Sequence, residues 1–118
     1  VIKVAVPVLH VAGAEARKEF YCNKLGFRLE FAHRGDSALA GPCYMGMYLD
    51  GVWIHLSSFS RDGVAGGVVT FLVDSVDTLH AEFVSQGVAI HVEPIDQSWS
   101  MREMYVKDAD RNCLRFQV

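Results

Sequence analysis

The side chains that could do chemistry are thinly spread along the 118 residues. His10, His33, His55, His80 and His91 show no metal-ligand spacing. Cys22, Cys43 and Cys113 are odd in number, far apart and form no C-x-x-C. That argues against a disulfide framework or a cysteine zinc centre, and reduced thiols of a cytoplasm are the natural default. Trp53 and Trp99 are the two tryptophans. Trp53 sits in an apolar alternating run, where a ring packs into a core or an interface. Trp99 stands in the polar run D-Q-S-W-S, where packing into a core is less expected. Glu103 follows Arg102 directly, so it reads either as a rim carboxylate for a cation or as a solvated partner of Arg102. Three glycines crowd the end of F-S-R-D-G-V-A-G-G (Phe59 to Gly67). No strand–GxxxxGK–helix context surrounds them, so they read as a connector and not as a phosphate loop.

The elements must position these residues. Hydrophobic residues make up 51% of the chain and charged residues 21%, a core-forming composition that excludes a mainly disordered chain. Lys and Arg are scattered and the net charge is −3, which leaves no basic stripe for nucleic acid. No apolar run is long enough for a membrane helix, and no signal peptide is expected from the opening residues. Val-rich Ile2 to Val11 predicts a strand, placed at an edge or bulged by Pro7. Ala14 to Leu25 predicts a helix with Ala16 and Phe20 on one face, stopped by Gly26. Phe27 to Arg34 predicts a strand with Phe27, Leu29 and Phe31 on one face, followed by a turn at Gly35 and Asp36. Ala38 to Leu49 and Val52 to Ser58 predict a hairpin about Asp50-Gly51. A second round follows: a strand at Val68 to Val73, an N-cap at Ser75, and a helix carrying Val76, Leu79 and Phe83 that stops at Gly87. Val88 to Glu93 then alternates, a polar loop spans Pro94 to Ser100, and Arg102 to Lys107 pairs with Cys113 to Val118. The order is two copies of one βαβββ unit, an α+β fold. We expect one domain over residues 1–118, with modules of about 1–62 and 63–118. Each module makes a curved mixed sheet with its helix outside, and the concave faces enclose a cleft.

Several runs now resemble a known family. F-Y-x-x-x-L-G-F (Phe20 to Phe27) and the closing S-W-S-M-R-E-M-Y-V-K-D-A-D-R-N-C-L-R-F (Ser98 to Phe116) resemble the vicinal oxygen chelate superfamily. Within it, A-V-P-V-L (Ala5 to Leu9), L-G-F-R-L-E-F (Leu25 to Phe31) and the Trp99 to Glu103 stretch are similar to the glyoxalase/bleomycin-resistance group. The resemblance covers nearly the whole chain and implies the paired βαβββ fold. Two departures stand out: Gly13 where a capping Asp is common, and Arg111 where a turn Gly is usual.

The resemblance also poses a chemical test. Metal-dependent relatives place His, Glu or Gln at one point on each of four strands, and here those points fall on Val6, His55, Val68 and Arg115. Only the imidazole can ligate; a guanidinium has no lone pair to give and repels a cation. No divalent site and no cofactor are therefore expected. In that register Val68, Thr70 and Leu72 share the cleft face, as do Trp53, His55 and Ser57, while Ile54, Leu56, Leu114 and Phe116 go to the core. The expected ligand-binding residues are Phe31, Trp53, His55, Trp99, Glu103, Tyr105 and Arg115. Arg115 needs a partner, either Glu103 or an anionic ligand. Cys113 shares its face but reads as a small buried hydrophobe.

The resemblance implies metal-free capture of an aromatic small molecule, in the manner of antibiotic-sequestering proteins, by a cytoplasmic homodimer with clefts at its interface. The alternative is a glyoxalase-type lyase or isomerase with His55 and Glu103 as proton-transfer groups. No nucleic-acid or membrane partner is expected.

Overall fold

The computed structural model of the chain describes residues 1–34 and 41–118. The chain divides into two compact units, Val1–Ala65 and Gly66–Val118. The expected turn at Gly35-Asp36, and the start of the strand expected from Ala38, lie outside the described residues.

In the first unit, β1 (Val8–His10), β2 (Arg28–Arg34), β3 (Cys43–Leu49) and β4 (Val52–Ser57) form one sheet in the order β1-β4-β3-β2. β1 runs parallel to β4, and the other pairs are antiparallel. β1 is far shorter than the expected Ile2 to Val11. Pro7 offers its carbonyl to the His55 N–H but has no N–H to return, so the ladder ends there. Val1, Ile2 and Val4 lie exposed beyond it.

The expected α-helix of Ala14 to Leu25 is instead a 3₁₀ turn (Glu15–Arg17) running into a π-helical segment (Glu19–Lys24). The Leu25 N–H reaches back five residues to the Phe20 carbonyl, and the Phe27 N–H bonds to the Tyr21 carbonyl. The wider winding changes the buried face. Ala14, Tyr21 and Leu25 go to the core, while Ala16 is exposed and Phe20 only half-buried. Gly26, at φ 93°, supplies the left-handed stop.

The β3–β4 hairpin turns at Asp50 (φ 52°) and Gly51 (φ 83°), the two positive values that a type I′ turn requires. Met45, Met47, Ile54 and Leu56 point to the core with no exposed surface, so the alternate residues Tyr44, Gly46, Tyr48, Trp53, His55 and Ser57 share the opposite face. β2 carries a bulge between Leu29 and Phe31. Leu29 pairs with Met47 on the core side, but Phe31 pairs with Gly46 on the other side. The expectation that Phe27, Leu29 and Phe31 share one face fails here, because the extra residue at the bulge re-aims the ring.

The second unit repeats the layout. β5 (Val68–Leu72), β6 (Val92–Asp96), β7 (Arg102–Lys107) and β8 (Cys113–Gln117) form a sheet in the order β5-β8-β7-β6, with β5 parallel to β8. Helix α1 (Val76–Ser85) is capped by Ser75, whose Oγ accepts the Thr78 N–H at 3.1 Å. Its Phe83 ring meets Phe116, which in turn stacks on Phe71. β6 begins four residues later than the expected Val88. Val88 is buried by capping the helix end through the Phe83 carbonyl, so its apolar character belongs to the helix and not to a strand. Pro94 falls in a register shift between Val92 and Ile95, where no ladder N–H is needed. The expected loop of Pro94 to Ser100 therefore shrinks to a turn closed by the Gln97 N–H on the Met101 carbonyl.

The three cysteines are free thiols. No helix among the described residues is long and apolar enough to cross a membrane.

Candidate functional site

On the first unit the face opposite the core is aromatic. Phe31, Tyr44, Trp53 and His55 form one cluster: the Phe31 ring lies 5.3 Å from His55, 6.3 Å from Trp53 and 6.4 Å from Tyr44, centroid to centroid. Phe31 sits directly over Gly46. A Cβ built at Gly46 would stand 2.0 Å from the Phe31 ring, so the absence of a side chain there makes the seat for that ring. Tyr48 closes the far side against Trp53 at 5.2 Å, with the Arg28 guanidinium over its own ring. These rings are half-buried, a surface both apolar and reachable.

His55 is the polar centre of this face. Its Nδ1 lies 2.7 Å from the Tyr44 hydroxyl, and Nε2 makes no hydrogen bond among the described residues. Burial holds the imidazole below its ordinary pKa, so it is neutral near pH 7. Burial, with Asp62 nearby, also raises the Tyr44 phenol, which keeps its proton and can donate to Nδ1. Ser57, fully buried, gives its hydroxyl proton to Asp62 at 2.6 Å. The Ser57 hydroxyl is thus turned to a carboxylate and not to His55, and no nucleophile–base pair forms.

On the second unit the residues gather on the sheet face away from α1. Tyr105 pairs with Arg115, which pairs with Thr70; Glu103 pairs with Gln117. The Arg115 guanidinium lies over the Tyr105 ring at 5.0 Å, and the Tyr105 hydroxyl donates to Glu103 Oε2 at 3.3 Å. Burial, then the Glu103 charge, raises the Tyr105 phenol. Glu103 is only 2% exposed, and its Oε1 has no partner among the described residues.

Both partners weighed for Glu103 in the sequence are absent. Arg102 lies on the opposite face and binds Asp77 and Asp96 instead. Arg115 forms no ion pair among the described residues, and its buried Nε lacks an acceptor. Cys113 is buried, as a small apolar residue would be. Trp99 stands on the β6–β7 turn, 59% exposed.

The sequence-predicted residues thus fall into two sets, Phe31, Trp53 and His55 on one unit and Glu103, Tyr105 and Arg115 on the other, with Trp99 apart. Tyr44 and Gly46 were missed. Their signal was parity: in C-Y-M-G-M-Y-L the apolar set Cys43, Met45, Met47 and Leu49 alternates with them across the hairpin from His55. A separate pocket of about 460 Å³ lies in the first unit between Gly13, Ala14, Arg34 and Pro42, and none of the expected site residues lines it.

The four positions at which metal-dependent relatives carry ligands do not suit a metal. Val6 and Val68 have no donor atom and Arg115 is cationic, which leaves His55, through Nε2, as the one of the four able to ligate. Among the described residues no three His, Cys, Asp or Glu side chains gather to hold an ion.

A fold of two repeated four-stranded mixed sheets, each with a βαβββ-like layout, defines a class. The model of the Glyoxalase/Bleomycin resistance protein/Dioxygenase superfamily matches residues 3–116, and the chain belongs to that superfamily. Among solved structures, it is similar to a bleomycin-binding protein complexed with bleomycin, with 19% identity, TM-score 0.76 and 98% of each chain covered. A superfamily member from Sphaerobacter thermophilus shares 18% identity at TM-score 0.75, over 99% of this chain and 97% of that one. A glyoxalase/bleomycin resistance protein from a Streptomyces species shares 22% identity at TM-score 0.71, over 96% and 97%. No match was found among curated proteins.

Proposed function

We propose that this protein captures a flat aromatic small molecule by stacking, without a metal ion and without turnover. The observation that carries the reading is the half-buried cluster of Phe31, Tyr44, Trp53 and His55. A core needs no neutral, hydrogen-bonded histidine among accessible rings; a ligand face uses one for orientation. The similar bleomycin-binding protein, solved with its ligand, supports small-molecule capture on this fold. Trp99 is proposed as a further stacking ring, since its exposure leaves it free to cover a ligand. The working form is proposed as one domain paired in a homodimer, acting in a bacterial cytoplasm and, where the ligand is an antibiotic, conferring resistance.

Bleomycin and a set of planar phenolic and heteroaromatic probes test the reading by saturable quenching of tryptophan fluorescence. Trp53→Leu and Trp99→Ala should each weaken the best probe by about 1–3 kcal/mol. Trp99→Ala should leave the melting temperature nearly unchanged, because the turn lies outside the core. Protein purified in buffer containing divalent ions should carry them well below one per chain, and EDTA should not shift its melting temperature. Unchanged affinity in both tryptophan variants, or a bound ion whose removal lowers stability, overturns the proposal.

A further inference from the structure

On the second unit, the sheet face away from α1 carries two cations, Arg115 and Lys107. Arg115 and Lys107 both lack an ion pair among the described residues, although the same unit pairs Arg102 with two aspartates. The register makes the two cations diagonal neighbours: Lys107 pairs with Cys113, and Arg115 stands two residues further along β8. Such neighbours are within reach of long side chains. Arg115 is held, not loose. Its guanidinium lies over the Tyr105 ring, whose hydroxyl is fixed by Glu103. Its Nε is shielded from solvent with no acceptor, while its terminal nitrogens meet neither protein acceptor nor full burial. On the other side of Arg115 is Thr70, exposed, with its hydroxyl free among the described residues. The acid on this face, Glu103, is 2% exposed and directed to Tyr105.

A preorganised guanidinium on an aromatic platform, flanked by an ammonium and a hydroxyl, is complementary to an oxyanion. We infer that this face binds a carboxylate group of a small-molecule acid, with Arg115 as its principal partner and Thr70 and Lys107 beside it. The fork of Arg115 pairs with carboxylates and phosphates alike; the acid Glu103 on the same face makes a singly charged carboxylate the better match than a phosphate of up to two charges. The inference stands on the second unit alone and does not require the aromatic face of the first. It runs against a purely cationic ligand.

The test uses sodium acetate, inorganic phosphate and sodium chloride at equal ionic strength, read by the Arg115 Nε–H and Thr70 amide signals in ¹⁵N-resolved NMR. Acetate has no ring, so failure of the stacking reading does not affect the result. Acetate should move both signals saturably and chloride should not. In the Arg115 variants, which lack the Nε–H, the Thr70 amide is the reporter, and Arg115→Met should abolish its response. Arg115→Lys, which keeps the charge and loses the fork, should weaken it about ten-fold, and it serves in place of the Met variant if that one does not fold. Val84→Ala, on the exposed side of α1, should leave the response intact. A response to phosphate alone, equal responses to all three salts, no saturable response, or a wild-type response in both Arg115 variants overturns the inference.

Discussion

At the scale of single residues, the contact between Gly46 and Phe31 is the sharpest feature of the aromatic face. A methyl group at position 46 would overlap the Phe31 ring. The atoms it meets are the far end of a side chain, so the ring can swing away at limited cost. Gly46→Ala should therefore lower stability by only about 1–2 kcal/mol, yet weaken the best aromatic probe as strongly as Phe31→Leu, a comparison that calorimetry and fluorescence titration make directly. A second prediction concerns pH. Burial depresses the His55 pKa, so below about pH 6.5 the unfolded chain takes up the proton first. Stability is full above that value and declines as pH falls toward the folded pKa. His55→Gln should flatten that part of the stability profile, measured by urea unfolding from pH 7.5 to 5. An unchanged slope in the variant would assign the decline to other groups. How much of the site was legible follows from the same residues. Trp53 and His55 could be placed together because a hairpin has period two. Phe31 reached its position through a bulge that left no mark in its flanking residues. The isolation of Arg115 depends on where Glu103 turns its carboxylate, which register alone does not fix.

At the scale of elements, the second unit was more legible than the first, for reasons of local chemistry. Ser75, the apolar spacing of Val76, Leu79 and Phe83, and Gly87 fix the start, face and end of α1 within a few residues. The segment Glu15 to Lys24 has equally good helix formers, but its hydrogen bonds run at three-residue spacing in the opening turn and five-residue spacing over Glu19–Lys24. Propensity ranks residues for a helix without distinguishing its pitch. Strand lengths were misjudged where apolar residues serve something other than a ladder, as at Val88 and before Pro7. The β7–β8 hairpin shows an element held by polar side chains. Asp108 Oδ1 accepts the Asp110 and Asn112 N–H groups, and buried Asn112 takes the N–H groups of Gly66 and Gly67. Arg111 within this turn has φ 66°, in the left-handed region, and its side chain is exposed. Restoring the customary glycine removes a steric cost without removing a contact. Arg111→Gly should raise stability by about 0.5–1 kcal/mol, whereas Asn112→Ala should lower it by about 2–4 kcal/mol, through the unmet Gly66 and Gly67 N–H groups and the lost Asn112–Asp108 hydrogen bond. Chemical denaturation of the two variants reads both signs.

At the scale of the whole molecule, the chain leaves apolar side chains uncovered in a pattern that bears on the proposed homodimer. Leu72 is 79% exposed and Val68 52%, on the sheet face where they alternate with the inward-turned Val69 and Phe71. Ile95 is exposed too, as are Val1, Ile2 and Val4 ahead of β1. β5 and β1 are edge strands of their sheets, the positions at which sheets can pair with another chain. A closed pair related by a two-fold axis would satisfy both copies at once and leave no further edge to propagate. Sedimentation at micromolar concentration should therefore give about twice the 13.1 kDa of one chain. Leu72→Lys should shift that mass toward the monomer, because it removes apolar area and adds a third cation to a face that already carries Arg115 and Lys107. Circular dichroism keeps the result interpretable: the variant should retain the wild-type spectrum, since Leu72 points away from the core formed with α1. A wild-type chain that sediments only as monomer sinks the homodimer outright. A Leu72→Lys variant that stays dimeric moves the interface away from the exposed face of β5.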